Sequence, residues 1–210
     1  MKKTIVRVYT DYKSPYAYVA KNPTYEFAAA KGVELEWLPY TLRIAEYLGS
    51  VAERTPHYWR KVKYAYMDAR RYANQQGLVL KGPEKIFNGY YSTVGMLYAQ
   101  RNGFFRIYND TVFDKFWKRE LDIDSLDAMA SLVSSLGGSA NEYADYANGP
   151  GRQEHDRIIA EAEQLGVFGA PTFILDGELF WGGDRIPLLC ERLDERLDER
   201  LVPHSQQEAL

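Results

Sequence analysis

Asp11-Tyr12-Lys13-Ser14-Pro15-Tyr16 joins a run of β-forming residues to an alanine-rich stretch. A serine directly before a proline is the pattern of a helix N-cap with proline at the first helical position. Where a strand feeds a helix in a β-α-β unit, the junction lies at the carboxyl edge of the sheet. Ligands collect there, and free amides together with the helix dipole favour an anion. A thiolate is such an anion. The residues alone leave two readings of Ser14 open: a cap and nothing more, or a functional group at an edge where ligands collect. Disulfide-exchanging proteins carry Cys-x-x-Cys at such a junction. Ser14-Pro15-Tyr16-Ala17 has no thiol, so no disulfide can cycle there.

Gly166-Val167-Phe168-Gly169-Ala170-Pro171-Thr172-Phe173 puts a proline at the opening of a strand, after a glycine-containing turn. Proline is tolerated as a strand's first residue, so a plain strand start is one reading. The other is a cis Ala170-Pro171 peptide, which would turn the Ala170 N–H and C=O outward to pair with an extended peptide ligand in strand fashion. Further on, Phe180-Trp181-Gly182-Gly183-Asp184-Arg185 places two glycines and a carboxylate at the start of the last helix. Asp184 is there either as an N-cap or to receive the ammonium of a γ-glutamyl moiety.

Lys61, Tyr64, Asp68 and Arg71 follow i, i+3, i+7 and i+10 and so share one helix face. A solvated, salt-bridged face accounts for that spacing equally well. His57, His155 and His204 lack metal-like spacing, and each is expected at the surface. Cys190 is the one cysteine, so a monomer has no internal disulfide; it reads as a small buried hydrophobe in a protein of a reducing compartment.

These groups need elements to position them. Thr4 to Tyr9 reads as a strand and Pro15 to Lys31 as a helix ending at Gly32, with Pro23 expected to kink or restart it. Glu34 to Leu38 is a second strand, parallel to the first through a right-handed crossover. From Thr41 to Leu165 no convincing strand occurs, and helical patterns alternate with glycine-containing breaks. Thr172 to Leu175 and Glu178 to Trp181 flank Asp176-Gly177, a dipeptide preferred in two-residue hairpin turns. A terminal helix from about Arg185 to Leu201 follows, whose Leu193 to Arg200 run reads as a solvated charged face. The order is the thioredoxin plan, an α/β fold, with an all-helical insertion: residues 1–40 and 166–210 form the thioredoxin-like domain and 41–165 the insertion.

Composition agrees with a globular chain. At 210 residues and 46% hydrophobic content it can bury a substantial core. A net charge of -3, with both signs mixed along the chain, argues against nucleic acid as a partner. No stretch approaches the roughly 20 apolar residues of a membrane-spanning helix, and no signal segment is evident, so a soluble, unsecreted protein is expected.

The three motifs around Ser14, Pro171 and Asp184 together resemble the 2-hydroxychromene-2-carboxylate isomerases and the related kappa-class glutathione transferases, which share a DsbA-type thioredoxin-like fold. The helix pattern Lys61-x-x-Tyr64-x-x-x-Asp68-x-x-Arg71 resembles that family too. The resemblance implies glutathione as cofactor, bound by Ser14, Lys61, Ala170, Pro171, Gly183, Asp184 and Arg185, with Lys61 taking its glycyl carboxylate. It implies a small aromatic substrate from aromatic-compound degradation, in a pocket involving Tyr16, Tyr64, Asp68 and Asn88, walled in part by Phe87, Tyr90 and Tyr91. The composition and spacing above lead to an expectation of no metal, no membrane and no nucleic acid and of a cytoplasmic location, and a homodimer stays open. In the implied isomerase chemistry, a glutathione thiolate stabilised by Ser14 adds reversibly to an unsaturated ring carbon, the adduct opens and rotates, and the thiol leaves. A transferase would release the adduct, and a non-catalytic relative would use the fold for binding alone. The chain departs from the family at Ala170, where valine is usual, at Gly183, where a side-chain amide is usual, and around Glu53 to Pro56, where no asparagine stands. The first change leaves the backbone contact intact; the other two bear on the acceptor substrate.

Overall fold

A computed structural model describes residues 3–48 and 51–201. Strand β1 (Ile5–Thr10) leads through helix α1 (Pro15–Lys31) to β2 (Glu34–Pro39), which pairs parallel to β1 from Ile5↔Glu34 to Thr10↔Pro39. The chain then forms α2 (Ile44–Leu48), α3 (Pro56–Gln75), α4 (Tyr90–Arg101), α5 (Phe105–Trp117), α6 (Leu126–Ser135), α7 (Ala140–Asn148) and α8 (Pro150–Gln164). No strand lies between β2 and β3 among the described residues. The hairpin β3 (Thr172–Leu175) and β4 (Glu178–Trp181) completes a four-stranded sheet of order β2-β1-β3-β4, and α9 (Ile186–Leu201) closes the chain. This is the thioredoxin-like fold with a helical insertion expected from the element order.

β3 pairs antiparallel to β1, with Tyr9 opposite Thr172. The start of β3 and the end of β4 therefore lie at the same sheet edge as the carboxyl end of β1. Asp176 and Gly177 both have positive φ, 48° and 87°, as a type I′ hairpin turn requires. All four residues of β3 are buried, and Val6, Val8, Phe173 and Leu175 join the aromatic-rich core of the insertion around Phe113, Trp117 and Tyr143.

Helix α1 is capped as the sequence requires: the Ser14 side chain accepts from Ala17 N, and Gly32 ends the helix in the left-handed region at φ 64°. Of the kink or restart expected at Pro23, the restart does not occur: one helix runs through it. Proline has no N–H for the Val19 carbonyl four residues back. Gln76, just past the end of α3, supplies the missing donor, its Nε2 lying 2.8 Å from Val19 O. A side chain from a neighbouring helix thus satisfies the backbone group that proline orphans.

The terminal helix also differs from a plain solvated face. Leu193 is buried, Asp194 receives Lys31 Nζ at 2.6 Å, and Arg196 donates to Asp176 at 2.8 Å. These charges tie α9 to α1 and to the hairpin turn. No helix among the described residues is long and apolar enough to cross a membrane.

Candidate active site

Sheet topology brings the two ends of the chain to one edge. Ser14 stands at the N-terminus of α1 and is 3% exposed. The Ala170-Pro171 peptide is cis, and Ser14 Oγ donates to the Ala170 carbonyl at 2.8 Å while accepting from Ala17 N at 3.2 Å. The Ala170 carbonyl is therefore engaged from within the protein rather than turned outward for a ligand. Its N–H is the group that makes no hydrogen bond among the described residues. Gly182 N donates to Pro171 O at 2.9 Å, which draws the 3-10 turn Gly183–Arg185 to the same edge.

Gly183 packs directly on α1. A Cβ there would stand 2.7 Å from Ala20 Cβ, closer than real side chains approach. The side-chain amide of the resembled family has no room at this position unless α1 gives way. Asp184 is exposed and pairs with Arg185 at 3.1 Å; the turn's N-cap is Gly182, so Asp184 does not fill that role.

Lys61 is exposed on α3, its ammonium 5.6 Å from the Tyr58 ring centroid. On the same helix Tyr64 is exposed, and Asp68 accepts from Tyr16 Oη at 3.1 Å and from Arg71 at 3.2 Å. Burial first, then the adjacent Asp68 carboxylate, pushes the Tyr16 phenol up to about 12. Tyr16 therefore stays protonated and donates. Asn88 lies elsewhere: its carbonyl accepts from Lys13 Nζ at 2.8 Å, and it lines a cleft of about 690 Å³ with Tyr90, Tyr91 and residues of α8. Tyr16, Tyr64 and Asp68 are not in that lining.

Asp11 and Lys13 belong to the first motif, where the sequence assigns them no role of their own. Both are buried, and Lys13 Nζ meets Asp11 Oδ2 at 2.7 Å. Asp11 also accepts from Leu42 N at 2.7 Å, tying the end of β1 to the start of the insertion. The signal was an Asp two residues before a Lys beside Ser14. His155 is a correction: it is 6% exposed, with Nε2 2.8 Å from Thr41 Oγ1 and Nδ1 3.0 Å from Asp156 Oδ1. Arg152, His155, Asp156 and Ile159 follow i, i+3, i+4 and i+7, a helical-face pattern that sequence reading could have caught. His57 is exposed as expected, and His204 lies outside the described residues. Cys190 is half-buried, and burial raises its thiol pKa.

A capping serine facing a cis-proline across a thioredoxin-like sheet edge defines a class. The chain belongs to the DSBA-like thioredoxin domain family, whose model matches residues 5–194. Within it, the chain is 28% identical over 188 residues to a 2-hydroxychromene-2-carboxylate isomerase of Pseudomonas putida, covering 88% of this chain and 92% of that one. It is 25% identical over 191 residues to the protein of the same name from Sphingobium xenophagum, covering 90% of this chain and 97% of that one. A solved 2-hydroxychromene-2-carboxylate isomerase superposes with a TM-score of 0.78 at 24% identity, covering 95% of this chain and all 100% of the other. The resemblance drawn from the three motifs is thus borne out over most of the chain.

Proposed function

We propose that this protein is a glutathione-dependent isomerase of the 2-hydroxychromene-2-carboxylate type. The observation that carries the reading is the Ser14 hydroxyl, held at the N-terminus of α1 and 2.8 Å from the carbonyl of Ala170. That is where a redox relative would hold its attacking sulfur, and this chain offers a donor there instead of a thiol. Glutathione, when bound, supplies the sulfur that adds to an unsaturated ring carbon and is later expelled.

The residues fit such a guest. Ser14 would turn its proton from Ala170 O to the sulfur, and the α1 N-terminus would stabilise negative charge beside it. A free thiol with a pKa of about 8.5 is mostly protonated at neutral pH, and each unit of lowering reflects about 1.4 kcal/mol of thiolate preference. The unengaged Ala170 N–H offers a strand-like contact to a peptide backbone. Asp184 and Lys61 would take the ammonium and carboxylate ends, since opposite charges need complementary partners.

The test is turnover of 2-hydroxychromene-2-carboxylate followed by absorbance. Isomerisation should require glutathione and leave its amount unchanged. Thiol consumed in step with substrate would mark a transferase, and equal rates without glutathione would overturn the reading. Calorimetry with Asp184→Ala and Lys61→Ala should show weakened glutathione binding; unchanged affinity in both would sink this orientation.

A further inference from the structure

His155 is a buried imidazole that the functional reading above does not use. Both of its ring nitrogens are engaged: Nδ1 stands 3.0 Å from Asp156 Oδ1, and Nε2 stands 2.8 Å from Thr41 Oγ1. A carboxylate only accepts, so Nδ1 carries the hydrogen of the neutral ring and Nε2 turns its lone pair to the Thr41 hydroxyl. The other hydroxyl beside Thr41 is that of Thr93, at 3.2 Å. Thr93 sends its own hydrogen to the Tyr90 carbonyl at 2.9 Å, and the imidazole is the nearer acceptor for Thr41. Hydroxyl, imidazole and carboxylate in that order are the arrangement of a nucleophile, its general base and the group that orients the base.

All three residues line the cleft of about 690 Å³, a volume within the range of small-molecule sites, about 300–1,000 Å³. Thr41 also lines a smaller cleft of about 330 Å³ beside Ile44 and Phe87. The two halves of a molecule bonded at Thr41 therefore have separate room. Two donors in the larger lining have no hydrogen-bond partner among the described residues. One is Asn88 Nδ2, whose Oδ1 accepts from Tyr90 N at 3.1 Å; the other is the Arg152 guanidinium, 4.5 Å over the Tyr90 ring centroid. Donors of this kind are what the oxyanion of an acyl transfer requires.

We propose that Thr41 and His155, with Asp156 as positioning residue, form a second catalytic site that hydrolyses small carboxylic esters. Thr41 Oγ1 bonds to the acyl carbon as His155 Nε2 takes the hydroxyl proton. The ester C–O bond breaks, and the alcohol leaves with that proton, giving an acylated threonine. Water then attacks the acyl carbon and gives a proton to Nε2, which returns it to Oγ1 as the carboxylic acid departs. Water is the only co-reactant. The site uses neither Ser14 nor glutathione, so it goes beyond the functional reading above.

Hydrolysis of 4-nitrophenyl acetate by the full chain, without glutathione, tests it. Absorbance follows the nitrophenolate released, and peptide mass spectrometry locates the acetyl group. Turnover should proceed with acetyl on Thr41, and Thr41→Ser should keep both turnover and the acetyl at that position. Thr41→Val should lose the acetyl-enzyme, and His155→Gln should lower the rate at least about a hundredfold, as for loss of a general base. Asp156 has an exposed side chain, so Asp156→Asn should fold as the parent does, with circular dichroism unchanged, and lower kcat while KM holds. No turnover, acetyl groups on lysines alone, parental turnover in Thr41→Val, or an unchanged kcat in Asp156→Asn would each overturn the proposal. The acetyl position in the parent and the exposed Asp156 decide the matter even where a variant at buried His155 does not fold. Because the assay holds no thiol, its outcome is independent of the glutathione reading.

Discussion

The Ser14 hydroxyl hydrogen is directed at the Ala170 carbonyl oxygen, 2.8 Å away, while the same oxygen atom of Ser14 caps Ala17 N. One side chain thus joins the first helix to the turn before β3 and at the same time ends the helix. Under the proposed function, a glutathione sulfur bound here would compete only for the hydrogen and leave the capping bond in place.

Ser14→Ala should therefore separate stability from chemistry. Loss of one hydrogen bond to a charged sulfur costs roughly 1.5–3 kcal/mol, which corresponds to a rate loss of about ten- to a hundredfold. Glutathione affinity should largely persist while the bound thiol's pKa rises, visible in an ultraviolet thiolate titration. A variant that melts earlier with rate and thiol titration untouched would reduce Ser14 to a cap.

Gly183→Asn should destabilise the protein by about 1–3 kcal/mol, because its Cβ would meet Ala20 Cβ at 2.7 Å. In a double-mutant cycle with Ala20→Gly, measured by urea unfolding, the cost of the asparagine should shrink. An equal cost in both backgrounds would mean that the contact is not the cause.

Asp11→Ala leaves the buried Lys13 ammonium without its carboxylate and frees Leu42 N from its acceptor. Breaking a buried pair from one side costs about 3–5 kcal/mol. Replacing both charges, Asp11→Asn with Lys13→Met, should cost less than Asp11→Ala alone in the same denaturation assay.

Gln76→Ala removes the donor that serves Val19 O beneath Pro23. The expected loss is about 1–3 kcal/mol for a buried carbonyl left unsatisfied. In Pro23→Ala, where the helix regains its own N–H, the same Gln76 change should cost markedly less.

Burial raises the phenols of Tyr18, Tyr25 and Tyr66 to about 12, as it does Tyr16. In the unfolded chain they ionise near 10. The folded state therefore holds more protons between these values, so this contribution to stability is complete below about pH 10 and is lost as pH rises toward 12. Spectrophotometric titration should show part of the tyrosinate signal appearing together with the loss of circular dichroism. Ionisation of all the tyrosines near pH 10 with the fold intact would contradict the burial account.

The strands, α1 and the hairpin were legible because their signals are local: Ser14-Pro15 for a start, Gly32 for a stop, Asp176-Gly177 for a turn. The facing of Ser14 and Pro171 followed from topology, since a strand antiparallel to β1 must begin where β1 ends. What the sequence hid were relationships between distant side chains. The partner of Val19 O is a glutamine 57 residues away. His155 looked like a surface residue among Arg152, Glu154, Asp156 and Arg157, yet its side of α8 turns to Thr41 and the edge of Tyr90. A helix exposes and buries neighbours in turn, so charged flanks say little about one position between them.

The pairing of β1 with β3 across the whole helical insertion also sets a timetable. During synthesis β1, α1 and β2 emerge early, and Ser14 with them. Their partner turn at Ala170 emerges only after α2 through α8 have been made. Closing so long a loop is thermodynamically mild, since each doubling of its length adds only about 0.6 kcal/mol, but it puts the decisive contact among the most distant in the sequence. A ribosome stalled within the insertion would hold a chain that has the serine and lacks the site.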